Sequence, residues 1–316
     1  MSLPRLLSAL GAGAGTAAAA WLLGDFIHSR LVLARYARST PRPPADPFTL
    51  NPAGSPAILL IHGFADSPGV FRLIAPLLAN NGFAVRALLL SGSGVPPGQM
   101  AGLTLQTWRD DIHREIAALQ TESPGRPVWL LGHSLGGTLA FDAALRLGPA
   151  VAGLILLAPL IEPSNARSTL LSARQWFRLL DKVLLFTRVV ESRLPADLHD
   201  PATRPAYRTD KFIHRDIYRA LFAAIAAIRP RAADWHGPLL AFLSPDDQIV
   251  HTPATRRFLE DARNARPLRQ IELPAAGHVL PLEAGHPGIV SQITQFIRQT
   301  PSCLDTNPRP RSKVAP

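Results

Sequence analysis

Apolar residues along this chain fall into short unbroken runs, separated by stretches in which they recur every three or four positions. Unbroken runs of about five residues fit strands buried on both faces, and the wider spacing fits helices that pack one stripe. Ala57 to Ile61, Ala84 to Leu90, Val128 to Leu131, Gly153 to Leu157, Pro238 to Leu243 and Leu268 to Leu273 read as strands. Val70 to Asn80, with Phe71, Ile74, Leu77 and Leu78 on one face, reads as a helix. Trp108 to Gln120, Leu135 to Leu147 and the region around Ile289 to Gln299 read the same way. Parallel neighbours need a crossover, usually helical, so this alternation predicts an α/β fold with a doubly wound, mostly parallel sheet.

The alternation stops between about Leu160 and His236, where no strand is signalled. Two helical regions fill the gap, Ser168 to Val190 and Lys211 to Ile228. A helical insertion between two sheet strands must lie outside the sheet, so residues 160–236 are expected to form a cap. Trp176, Phe177, Leu180 and Leu184 give the first region an apolar face; Ile217, Leu221, Phe222 and Ile225 do so for the second. Such faces either roof an apolar pocket and exclude water or simply pack on the domain.

Both ends of the chain break the pattern. Leu6 to Gly24 is an uncharged run of 19 residues, rich in Ala and Gly, between Arg5 and Asp25. As a helix it extends roughly 28 Å, close to the ~30 Å of a hydrocarbon core. The expectation is an uncleaved membrane anchor, with Arg30, Arg35 and Arg38 after it at the headgroups. Two other readings stay open: an export signal cleaved near Ala17-Ala18-Ala19, which would send the mature chain to the periplasm, or a soluble helix packed on the domain. Thr40 to Pro47 is a Pro-rich spacer, since proline suits neither helix nor sheet interior. The expected organisation is therefore residues 1–47 as hydrophobic segment and linker, 48–300 as the α/β domain, and 301–316 as a disordered basic tail.

Composition narrows the function classes. With 47% apolar and 18% charged residues, the chain can bury a sizeable core. A net charge of +10 either favours anionic surfaces such as lipid headgroups or reflects nothing more than abundant arginine. No nucleic-acid module pattern accompanies it, so no nucleic-acid partner is expected. The single Cys303 cannot form an internal disulfide, and no Cys/His spacing resembles a metal site. Catalysis must then come from side chains other than thiols.

The candidate chemistry sits at strand ends. Gly132-His133-Ser134-Leu135-Gly136 lies between an apolar strand and a helix, the setting in which a serine is held in a sharp, strained turn. Serine is a poor nucleophile without a base, and the base needs an acid to orient it. After one later strand come Asp246 and Asp247, and after the next comes Gly277-His278. Open α/β sheets place their sites beyond such carboxyl ends. The two aspartates compete for the acid role; Asp247, followed by Gln248-Ile249-Val250 re-entering the domain, fits better, with Asp246 as a turn residue. His278 follows the last strand, whereas His236, His251 and His286 read as loop residues and His133 as a support behind the serine. A tetrahedral intermediate needs donors aimed at its oxyanion. Candidates are the N–H of Leu135 and that of Phe64 in the loop His62-Gly63-Phe64, with His62 as a strut or, less simply, a base.

Together, His62-Gly63-Phe64, Ser91 to Pro97, Gly132 to Gly137, Asp247 to Val250 and Gly277 to Leu280 make the chain resemble bacterial carboxylesterases and monoacylglycerol lipases of the α/β-hydrolase fold. The resemblance covers roughly Ala57 to Arg298. It implies a helical cap and hydrolysis of a small ester or lipid, without metal or cofactor, through an acyl-enzyme on Ser134, with Asp247, His278, Phe64 and Leu135 in the roles above. One departure is Ser91-Gly92-Ser93-Gly94, where relatives often have Gly-His-Gly. The same triad serves thioesterases, acyltransferases and amidases, and a membrane-anchored binding protein that merely keeps the fold is a further alternative.

Overall fold

The computed structural model describes residues 3–300 other than 44, 126, 127, 169, 193 and 194, with side chains from residue 15 onward. The basic tail expected at 301–316 lies outside the described residues. Seven strands form one sheet: β1 (Phe48–Leu50), β2 (Ala57–Ile61), β3 (Ala84–Leu88), β4 (Val128–His133), β5 (Gly153–Leu157), and two that follow the cap. A two-stranded ribbon in the cap supplies β6 (Val189–Glu191) and β7 (Phe212–His214), so the last sheet strands are β8 (Leu239–Leu243) and β9 (Leu268–Glu272). The sheet order is β1-β3-β2-β4-β5-β8-β9, and every pair except β1 with β3 is parallel.

Helices cover both faces, which explains why the strands read as unbroken apolar runs. In β2, Leu59 and Ile61 enter the core on one face while Ile58 and Leu60 enter the other. β4, β5 and β8 divide their residues in the same alternating way. α3 (Leu105–Glu122), α4 (Leu135–Leu147) and α6 (Arg215–Ile228) contribute to the first core; α2 (Ile74–Asn80) and α8 (His286–Gln299) contribute to the second.

Three parts differ from the expectation. The helix expected over Val70 to Asn80 is split into a short 3-10 turn, Pro68–Phe71, and α2. β1 and α7 (Thr252–Asp261) were not legible: β1 has three residues, too few to show alternation. The cap, read as strandless, holds the β6–β7 ribbon, again of three residues each. Its first helix, α5 (Ala173–Val183), ends earlier than the apolar pattern suggested, because the next N–H groups bond outside the helix. α6 buries Ile217, Leu221, Ala224 and Ile228 against the main core, whereas α5 has no fully buried residue. The cap is thus half core helix and half peripheral helix.

At the N-terminus, α1 runs from Leu3 to Ala37, 35 residues without a break. The described residues of the proline-rich segment after it form no helix or strand, yet the segment is tied down. Arg42, with its side chain 4% exposed, bonds both carboxylate oxygens of Asp210 at 3.1 and 3.2 Å.

α4 approaches β2 so closely that Gly136 admits no side chain: a Cβ there would lie 1.9 Å from the Ile61 carbonyl oxygen. Replacing Gly136 with Ala is expected to destabilise the fold by about 1–3 kcal/mol through overpacking. Urea denaturation followed by tryptophan fluorescence reads this as a lower midpoint; an unchanged midpoint would mean α4 can shift away from β2.

Candidate active site

β4 ends at His133, and Ser134 turns the chain into α4 with φ 54° and ψ −119°. A residue with a Cβ in that region stores strain and persists only when its surroundings enforce it. Here the Ser134 N–H donates to the Leu157 carbonyl at 2.9 Å, and its carbonyl accepts from Gly137 and Leu160. The next residue, Leu135, opens the first turn of α4, where its N–H has no intrahelical acceptor.

The loop after β2 comes beside this turn. A Cβ on Gly63 would stand 3.2 Å from that of Ser134. Phe64 follows, half-buried, with its ring 5.0 Å from Tyr218 of α6. His62 is fully engaged: its Nδ1 is 2.9 Å from the Gly63 carbonyl and its Nε2 accepts the Leu90 N–H at 3.1 Å. Burial pulls the ring down to about 4, so it is neutral and acts as a strut for the loop rather than as a base.

Beyond β8, Asp247 is buried while Asp246 is exposed. One carboxylate oxygen of Asp247 accepts the N–H groups of Ile249 (2.8 Å) and Val250 (2.7 Å). The other lies 2.8 Å from Nδ1 of His278, which is buried just beyond β9. Burial pushes the Asp247 carboxyl up, but the His278 ring and the N–H donors outweigh it, and the group ends below its usual range. Burial also pushes His278 down; the charge and hydrogen bond of Asp247, then the charges of Asp197 and Asp66, reverse that and raise it. His133 stands behind, its Nε2 3.0 Å from the His278 carbonyl, and burial draws it down to about 3.

Ser134, His278, Gly63 and Phe64 open on one cavity of about 450 Å³. The cap supplies its roof: Phe177 of α5 lies 4.9 Å from Phe222 and 5.9 Å from Tyr218 of α6, and Leu180 and Leu184 extend the lining outward. The lining is mainly apolar, suited to a hydrocarbon chain. Among the described residues no group of His, Cys, Asp and Glu is placed to hold a metal ion.

No residue pattern pointed to Asp197, a buried cap residue. Its carboxylate accepts the N–H of Gln248 at 2.8 Å and of His278 at 3.1 Å, and its carbonyl accepts those of His278 (2.8 Å) and Val279 (3.1 Å). It therefore bridges the aspartate loop and the histidine loop. Gly277 is required there, because a Cβ would lie 2.6 Å from the Asp197 carbonyl oxygen. Asp66 was also missed, although it lies two residues past Phe64. It accepts the Tyr207 hydroxyl at 2.8 Å, and burial pushes it up to about 6.

Over 209 residues the chain is 25% identical to the monoacylglycerol lipase of Mycolicibacterium smegmatis, covering 64% of this chain and 74% of that one. It is 31% identical to the monoglyceride lipase of Homo sapiens over 114 residues, 35% of this chain and 38% of that one, so this match spans well under half of the human protein. In three dimensions it is similar to a metagenome-derived lipolytic enzyme, with a TM-score of 0.70 and 21% identity, covering 82% of this chain and 99% of the other. At that identity the likeness speaks for the fold, the α/β-hydrolase fold. The hydrolase family described as serine aminopeptidase, S33, matches residues 54–284, and the chain belongs to it.

Proposed function

We propose that the protein is a membrane-attached serine hydrolase that cleaves carboxylic esters of the monoacylglycerol type through an acyl-enzyme on Ser134. The observation that carries the reading is the convergence of a strained serine and an aspartate-paired histidine on one apolar, cap-roofed cavity. His278 takes the Ser134 proton as the hydroxyl attacks the ester carbonyl, and Asp247 holds the imidazole and offsets its charge. The N–H groups of Leu135 and Phe64 receive the oxyanion. The alcohol leaves with the proton from His278, and water, activated by the same ring, releases the acid. The curated relatives named above act on monoacylglycerols, and the aromatic lining from Phe64 to Phe177 favours an acyl chain over a peptide. Asp197 is a positioning residue, holding the backbone of both loops that carry the acid and the base.

Attachment to a membrane is supported by α1, whose residues 15–24 are all exposed although most are apolar. A lipid interior is the environment in which such a helix loses nothing.

Four outcomes test the reading. Ser134→Ala should lower hydrolysis of p-nitrophenyl butyrate by at least about a thousandfold with the melting temperature retained; a variant that keeps its activity would rule out Ser134 as nucleophile. A panel of oleoylglycerol, an acyl-CoA thioester and an aminoacyl amide should favour the glyceride; preference for another member reassigns the substrate class. The base must be neutral to act, so kcat/KM should rise with pH through a midpoint on the alkaline side of an ordinary histidine. The groups facing that ring are Asp247, Asp197, Asp66 and His133. Asp197→Asn keeps an acceptor but removes a charge that favours the imidazolium, so the rising limb should move to lower pH with KM nearly unchanged. A lower melting temperature with an unmoved limb would mean that Asp197 is only structural.

A further inference from the structure

The geometry points to α1 as a clasp that holds the cap loop 184–190, and with it the mouth of the acyl cavity, against a phospholipid bilayer. This goes beyond attachment, and it rests on the reading of the chain as a membrane-attached lipid hydrolase.

Asp25, the first charged residue after the uncharged run, is 4% exposed. Its carboxylate accepts three consecutive N–H groups from the cap: Leu185 at 2.6 Å, Phe186 at 2.8 Å and Thr187 at 3.1 Å. Its carbonyl accepts the Thr187 hydroxyl at 3.2 Å. A carboxylate out of water is costly unless its oxygens are met, and a nest of successive N–H groups meets them. Neighbours one turn away add to it. The Trp21 indole donates to the Val183 carbonyl at 3.0 Å, and the Ser29 hydroxyl donates to that of Phe186 at 2.9 Å. His28 Nδ1 lies 3.1 Å from the Thr187 hydroxyl. Further along, Val32 and Tyr36 pack with Val189 and Phe212, and Arg35 pairs with Glu191 at 2.7 Å. Spaced three or four apart, these residues form one stripe, so the contact fixes both the rotation of α1 and its height on the cap.

Beside this stripe the same elements leave apolar side chains bare. Leu23, Ile27 and Leu31 on α1 are about half exposed, as are Leu185 and Phe186 on the clasped loop. Phe26 and Phe186 meet edge to face at 5.6 Å, joining the two sets into one surface. Leu180, Leu184 and Val190, next to this surface, line the cavity that contains Ser134.

A bilayer is the occupant that fits. N-terminal to Asp25 the helix continues back to residue 3, about 33 Å at 1.5 Å per residue, enough to enter the hydrocarbon. Asp25 then lies where the helix leaves it, and the clasp brings Leu185 and Phe186 to the same depth. Arg30, Arg178, Lys182 and Arg188 are all exposed on the elements that carry this surface, cations placed to meet anionic phosphates. An acyl chain can then pass from the bilayer to the cavity along Leu184 and Val190 without crossing water.

The test uses the full-length protein in phosphatidylcholine–phosphatidylglycerol vesicles, with oleoylglycerol in the bilayer and p-nitrophenyl butyrate in solution. Asp25→Ala should lower the vesicle reaction at least tenfold and leave the soluble ester within twofold. Asp25→Asn, which keeps the shape, and the surface double variant Leu185→Glu with Phe186→Glu should shift the same ratio without relying on the fold. An environment-sensitive label on Leu185→Cys, in a Cys303→Ser background, should be quenched by brominated lipid. Equal loss on both substrates, no loss on either, or an unquenched label in a self-associated protein would overturn the inference. Retained soluble-ester turnover in Ser134→Ala would count against the catalytic reading without touching the vesicle-to-soluble ratio of the Asp25 variants, so the two failures are distinguishable.

Discussion

The candidate site depends first on the near-contact between α4 and β2. Gly136 leaves no room for a side chain above the Ile61 carbonyl, and that closeness forces the chain at Ser134 into its strained turn. It also brings the loop after β2 beside the serine. The strain is sustained by a fully buried strand β4, flanked by β2 and β5, whose residues fill cores on both faces.

A second layer of constraint lies away from the sheet. Asp247 and His278 sit on loops after different strands, and hydrogen bonds to Asp197 bind those loops together. Glu283 reinforces the same junction, accepting the N–H groups of Gly277, His199 and Asp200. Buried carboxylates thus do for irregular backbone what ladders do for strands: they satisfy donors that would otherwise be stranded. The cap segment that carries Asp197 is therefore continuous with the end of the domain that carries Asp247 and His278.

The sheet was legible because strands such as Ala57 to Ile61 and Gly153 to Leu157 are buried on both faces and show it as unbroken apolar runs. Ser134 and Asp247 follow such strands, whereas His278 follows the edge strand β9, whose Arg269 and Gln270 are exposed, and was read from the Gly277-His278 turn beyond it; of the two aspartates, Asp247 is buried and Asp246 exposed. Three-residue elements such as β1, β6 and β7 carry no periodicity to read. Asp197 and Asp25 were invisible for another reason. Each acts on backbone far away in sequence, and backbone N–H groups look the same under every side chain. The early end of α5 has that cause: Leu185 and Phe186 are apolar enough for helix, but their N–H groups belong to Asp25.

The Arg42–Asp210 pair changes what the proline-rich segment is. Asp210 also accepts the Gly94 N–H and donates its own N–H to the Ala65 carbonyl, one residue beyond Phe64. The segment is therefore a strut between α1 and the loop beside the serine. Trimming the chain at residue 48 would remove more than an apolar helix. It would strip Asp210 of its cation, uncover Val189 and Phe212, and leave three cap N–H groups without their acceptor. The hydrophobic leader is better regarded as the missing side of the cap than as baggage attached to a finished domain.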